Sequence, residues 1–179
     1  MFKIVTSKTM VDQLEAKLID FFENHSEVRK IDNCNVGHLG RTFKNVSLYW
    51  SDNHKLWFFP RESSRKCYWN AFGLEDPQSN QILPIDVEIN FSFDGTCRRI
   101  GGLLFTDENN NYFIGHRGNI KPSKHHFWKE YTGRCVDVYS EDNRFETIAF
   151  VGEIGQVDFL NSLREFIVEI KRIKNLVRE

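Results

Sequence analysis

Four cysteines are all the chain has, and Cys34, Cys67, Cys97 and Cys135 never fall within a Cys-X-X-Cys spacing. Zinc knuckles and dithiol redox motifs need two thiolates close in the chain, so both are disfavoured. A disulfide between two of them stays open, but reduced thiols in a cytoplasmic protein are the default expectation. Long apolar runs are missing as well. Met1-Phe2-Lys3-Ile4-Val5 lacks the apolar stretch of a signal peptide, and no window approaches the length of a membrane span. Nor is there an excess of charge: 24 Lys and Arg face 25 Asp and Glu, for a formal net charge of −1. No global field gathers polyanions, so any nucleic-acid site must be a local patch. Gly-X-Ser-X-Gly, a glycine-rich loop ending in Lys-Ser or Lys-Thr, His-Glu-X-X-His and His-X-X-X-His are all absent, and nothing calls for a cofactor. Without a repeat, low-complexity tract or linker, residues 1–179 read as one domain.

Aromatic residues, by contrast, make up 14% of the chain, with 16 Phe and 4 Trp, which favours a packed sheet. The organising stretch is Ile85 to Arg117. Ile85, Val87, Ile89, Phe91 and Phe93 alternate with polar residues, Asp94-Gly95 has the chemistry of a type I′ turn, and Ile100 to Phe105 and Tyr112 to Gly115 continue as two more strands. This predicts a β-meander. Thr9 to Asn24 predicts a helix, from Met10, Val11, Leu14, Leu18, Phe21 and Phe22, with Thr9 and Asp12 as its capping pair. Glu23 to Arg41 reads as loop with at most one short strand. Val46 to Trp50 and Leu56 to Phe59 read as a hairpin, with Pro60 ending the second strand. Cys67 to Gly73 reads as another strand, Leu74 to Pro84 as loop, and Asn119 to Thr132 as the least regular segment. Arg134 to Tyr139 and Phe145 to Val151 form a further hairpin. A terminal helix follows Asp158 as N-cap, with Phe159, Leu160, Leu163, Phe166, Ile167, Ile170, Ile173 and Val177 in one stripe. The predicted fold is α+β: a twisted, mainly antiparallel sheet, a meander of hairpins, flanked by amino- and carboxyl-terminal helices.

Charge is uneven. Between Gly115 and Arg134 stand Arg117, Lys121, Lys124, Lys129 and Arg134 against Glu130 alone, so the remainder, with 19 cations and 24 acids, is net acidic. His116, His125 and His126 add donors, and Phe127, Trp128 and Tyr131 add rings. Cations that hold phosphates beside rings that stack on bases are the chemistry of a nucleic-acid site. Arg98-Arg99, and Arg61 with Arg65 and Lys66, extend this patch if their strands lie beside it. The arginine fork suits phosphate, although adjacent strand residues face opposite ways. The sequence therefore points to a non-catalytic DNA- or RNA-binding module using Arg98, Arg99, His116, Arg117, Lys121, Lys124, Trp128 and Lys129.

Two rival readings arise from other residues. Asp86, Glu88 and Asn90 share one strand face and could offer two carboxylates to Mg²⁺ in a metal-dependent nuclease, although no Glu-X-Lys follows at nuclease spacing. Trp50, Trp57 and Trp69 could line a nucleotide-sensing pocket or a homodimer or partner-protein interface.

Glu88-Ile89-Asn90, Arg98-Arg99 with Gly101-Gly102, and His116-Arg117-Gly118, followed by a terminal helix rich in Ile and Lys, resemble a family of uncharacterised bacterial proteins associated with restriction and phage defence. The resemblance runs from about Ile85 to the carboxyl end and implies a glycine- and lysine-rich phosphate loop after His-Arg-Gly. Here that loop reads Asn119-Ile120-Lys121-Pro122-Ser123-Lys124, which keeps cations and lacks the glycines.

Overall fold

Alternating apolar and polar residues build eleven strands among the described residues, and these divide between two sheets rather than lying in one. The computed structural model describes residues 1–62, 67–79, 81–92, 101–118 and 124–178. In chain order they form β1 (Phe2–Ile4), α1 (Lys8–Asn24), β2 (Val28–His38), β3 (Arg41–Ser51), β4 (Leu56–Glu62) and β5 (Cys67–Gly73). A single 3₁₀ turn at Pro77–Ser79 precedes β6 (Ile82–Pro84), β7 (Val87–Ser92), β8 (Gly102–Thr106) and β9 (Tyr112–His116). Then come α2 (Lys124–Glu130), β10 (Cys135–Tyr139), β11 (Phe145–Glu153) and α3 (Phe159–Arg178). The fold is α+β and mostly strand, with helices near both ends. No helix among the described residues is long and apolar enough to cross a membrane.

The first sheet runs β6-β2-β3-β4-β5-β7, antiparallel except for the β2–β6 pair. The second closes as a barrel in the order β1-β10-β11-β9-β8, where β1 runs parallel to β10. The expected meander is therefore split: β7 belongs to the open sheet, and β8 and β9 belong to the barrel. The Asp94-Gly95 turn lies outside the described residues. What joins the sheets is a close crossing at Gly102, where an added Cβ would come within 2.4 Å of the Asn90 carbonyl oxygen.

The main core fills the space between one face of the open sheet, α1, α3 and the outside of the barrel. Val11, Leu14, Leu18 and Phe22 of α1 meet Phe58, Phe72, Ile89 and Phe91 of the sheet, and Leu104, Ile114 and Val151 arrive from the barrel. Phe22 stacks on Phe58 with centroids 4.3 Å apart. Burying a side chain of this size contributes about 1.5–3 kcal/mol. Helix α1 starts one residue earlier than predicted, and its N-cap is Ser7, whose hydroxyl accepts from Met10 N–H. Asp12 accepts instead from the Tyr68 hydroxyl and pairs with Lys8. The barrel interior holds Leu103, Phe105, Phe113, Val138 and Ile148.

Segment 23–41, read from sequence as loop, is largely the eleven-residue strand β2. Its register against β3 shifts on either side of Cys34, and Asn33 and Asn45 adopt positive φ of 59° and 57°. These bulges break the period of two that marks a strand. Pro60 lies inside β4 instead of ending it. Pairing of β4 with β3 is confined to Leu56–Phe58, so the proline's missing N–H is needed on neither side at that point. In the most irregular stretch expected, Lys124–Glu130 is helical.

Because β3 pairs with β4 only from Tyr49 to Ser51, the outer half of the β2–β3 hairpin, before Tyr49, bends across the second face of the sheet. It covers a second core of Cys34, Val36, Leu48, Trp50, Trp57, Phe59, Ala71 and Leu83. Across this curl His38 Nδ1 of β2 lies 2.8 Å from Glu88 Oε1 of β7, strands four places apart in the sheet order.

Candidate nucleic-acid interface

Strand directions decide what can meet. Antiparallel pairing sets the β2–β3 turn, the outgoing end of β4, the incoming end of β5 and the outgoing end of β7 at one end of the open sheet. The register fixes this: His38 faces Arg41, Glu62 faces Tyr68, and Cys67 faces Ser92. The strand ends flanking segments 63–66 and 93–100 thus share one rim. Arg65, Lys66, Arg98 and Arg99 belong to those segments and lie outside the described residues.

Three half-buried rings line this rim. Phe43 and Trp69 are 5.4 Å apart, Trp69 meets His38 at 5.5 Å, and Phe59 supports both from below at 6.0 and 5.7 Å. Arg61 lays its guanidinium over Phe43, 4.7 Å from the centroid, and is itself exposed. Arg41 and Lys44 are exposed beside it. Among the described residues, Arg41, Lys44 and Arg61 have no acidic partner. At the hairpin tip Leu39 and Gly40 both take positive φ, 47° and 77°, and Leu39 is 87% exposed. A two-residue loop with both φ positive is a type I′ turn, which favours Asn or Gly, and a leucine there costs about 1 kcal/mol. The chain thus holds a large apolar side chain in solvent in a strained conformation, next to rings and unpaired cations.

Of the residues singled out from sequence, Arg98, Arg99 and Lys121 lie outside the described residues, and His116, Arg117, Trp128 and Lys129 are placed as follows. His116 is 6% exposed and wedged against Phe127 and Phe166. Its Nδ1 accepts from Gly118 N–H at 2.9 Å, so the proton sits on Nε2, which donates to the Glu88 carbonyl of edge strand β7. Burial, with Lys174 and Arg117 adding repulsion, pushes its pKa down to about 4 and keeps the ring neutral. It caps the sheet edge from inside. Arg117 gives its Nε–H to both oxygens of Glu146, at 2.9 and 3.1 Å, and its side chain is 14% exposed. Lys121 lies outside the described residues, and Lys124 is placed only as the first residue of α2. Trp128 is half-buried, edge-on to Phe127 at 4.8 Å. Lys129 is exposed, without an acidic partner among the described residues. Among the described members of that set, His116 and Arg117 share one corner, where Arg117 N–H donates to the Gly101 carbonyl.

The carboxylates considered for a metal are engaged separately. Asp86 accepts from Leu74 N–H at 2.8 Å and pairs with Lys171 of α3 at 3.2 Å, while Lys174 donates to its carbonyl. Glu88 faces His38 on the curled side. Among the described residues no group of three His, Cys, Asp or Glu side chains is arranged to hold a metal ion. Trp50 and Trp57 are buried in the second core, leaving Trp69 as the partly exposed member of that trio.

Comparisons with family models, with curated proteins and with solved structures gave no match, so function has to be argued from this geometry alone.

Proposed function

We propose that this chain is a nucleic-acid-binding module, acting without catalysis of its own, whose contact surface is the rim formed by His38, Leu39, Arg41, Phe43, Arg61 and Trp69. The observation that carries the reading is the exposed Arg61 guanidinium centred 4.7 Å over the half-buried Phe43 ring, without an acidic partner among the described residues, with Arg41 exposed on the neighbouring strand. A net charge of −1 gives no reason to display a cation over a ring, without an acidic partner among the described residues, at one end of a sheet, and phosphates with bases fit both groups. The strands flanking segments 63–66 and 93–100 end at this rim, and the sequence of those segments includes Arg65, Lys66, Arg98 and Arg99.

Anisotropy titrations of labelled DNA and RNA oligonucleotides test this. With about three phosphates neutralised on a single strand, a fourfold rise in salt should weaken binding roughly eighteenfold through counterion release. Arg61→Glu should weaken binding at least tenfold at low salt with an unchanged unfolding curve, because the side chain is exposed. Binding that ignores salt, or that is as tight in Arg61→Glu, contradicts the proposal.

A further inference from the structure

We infer that the rim reads an unpaired base, stacked on the outer face of Arg61, so that the ligand is a single-stranded rather than a duplex segment; this rests on the nucleic-acid reading above. The rim already sets a guanidinium over one of a group of mutually tilted rings. Trp69 meets Phe43 at 5.4 Å with the rings tilted by 41°, the Arg61 guanidinium is centred 4.7 Å over Phe43, and the Arg61 residue is exposed. A planar cation resting on a ring offers its other plane to a further π system, and every base has such a face. In a duplex those faces are covered by neighbouring base pairs and only edges and phosphates are presented, so an exposed guanidinium set over a ring has a base face to meet only in an unstacked strand.

Leu39 adds to the same end. It stands next to His38, which touches Trp69, and its apolar surface is held outward at the tip of the turn. A ribose or base edge beside the stacked base gives that surface something to cover. Arg41, exposed on the adjoining strand and on the same face as Phe43, is placed for a flanking phosphate.

Competition anisotropy with the full chain decides the matter, using an oligothymidylate and a mixed-sequence single strand against a blunt duplex of equal length. The expected result is at least a tenfold preference for the single strands. Arg61→Lys keeps the charge and loses the plane, so it should keep the salt dependence while the preference falls to about threefold or less. A duplex that competes as well as the single strands, or an Arg61→Lys variant with the full preference, overturns the inference while leaving polyanion binding intact. Failure of every oligonucleotide to bind overturns the nucleic-acid reading itself.

Discussion

Replacing Gly102 by alanine should cost at least about 3 kcal/mol of stability or leave the chain unable to fold. The added Cβ would stand 2.4 Å from the Asn90 carbonyl oxygen and 2.7 Å from its nitrogen, both backbone atoms, with the Ile89 side chain at 2.9 Å. Asn90 cannot give way easily: β7 is laddered to β5 on one side, with Asn90 opposite Trp69, and His116 holds its other edge through the Glu88 carbonyl. Relief has to come from lifting β8 away from β7, which separates the barrel from the open sheet and opens the main core between them. Gly155 offers the contrast. Its φ of +89° strains any side chain, but nothing lies within 4 Å of an added Cβ, so Gly155→Ala should cost only about 1 kcal/mol. Urea unfolding of both variants is the check, and a Gly102→Ala loss as small as that of Gly155→Ala would mean the sheets are not locked at this crossing.

Glu15→Gln should stabilise the protein by about 2 kcal/mol at pH 8, with the gain shrinking below about 1 kcal/mol at pH 5. Glu15 on α1 is 3% exposed, and burial pushes its pKa up to about 7, offset in part by the hydrogen bond it accepts from Asn70 Nδ2 at 3.2 Å. The Asn70 carbonyl oxygen beside it is buried without a donor. A protonated carboxyl supplies that donor and an ionised one leaves it wanting, so geometry and titration agree. The sign follows from the unfolded value of 4.5: the folded state holds the proton more tightly, so stability is intact below that value and is lost as pH rises through 7. Glutamine has an amide that both donates to Asn70 Oδ1 and accepts from Nδ2 at every pH. His116, with its pKa depressed to about 4 from 6.5, acts in the opposite sense, withdrawing stability as pH falls from 6.5 towards 4. The difference between Glu15→Gln and the parent cancels that contribution and isolates the carboxyl. Urea midpoints measured from pH 5 to pH 8 give the result, and a difference independent of pH would show that Glu15 is ionised throughout.

Where one physical signal acted alone, the sequence was legible. The stripe from Phe159 to Ile173 is buried as its 3.6-residue spacing requires, and the hairpin on either side of Asn143 forms where turn residues separate two alternating runs. Where two signals competed, it was not. The bulges at Asn33 and Asn45 scramble the alternation in β2 and β3, and Pro60 is tolerated because β3 has already peeled away. Alternation in Val87 to Phe91 marks a strand but does not name its partner, so the split of the meander between two sheets could not be foreseen. The site follows the same logic. Cations were sought first where they cluster along the chain, at 115–134, with Arg98-Arg99 and Arg61, Arg65 and Lys66 as extensions, whereas the described rim is gathered by register from positions 38–43, 61 and 69, so that of those cations the extension at Arg61 is the one it includes among the described residues. One signal was available: His38-Leu39-Gly40-Arg41 puts a leucine where a two-residue turn calls for asparagine, between residues able to meet an anion.

The indole N–H resonances of the four tryptophans, followed while a single-stranded oligonucleotide is titrated into the protein, test the central claim most directly. Trp50 and Trp57 are buried in the second core, Trp69 belongs to the rim, and Trp128 packs on Phe127 beside Lys129. The account predicts a saturable shift at Trp69 with Trp50, Trp57 and Trp128 unmoved. A shift at Trp128 with Trp69 still would place the contact on the 117–129 segment instead, and four stationary resonances under saturating oligonucleotide would contradict the rim as a binding surface.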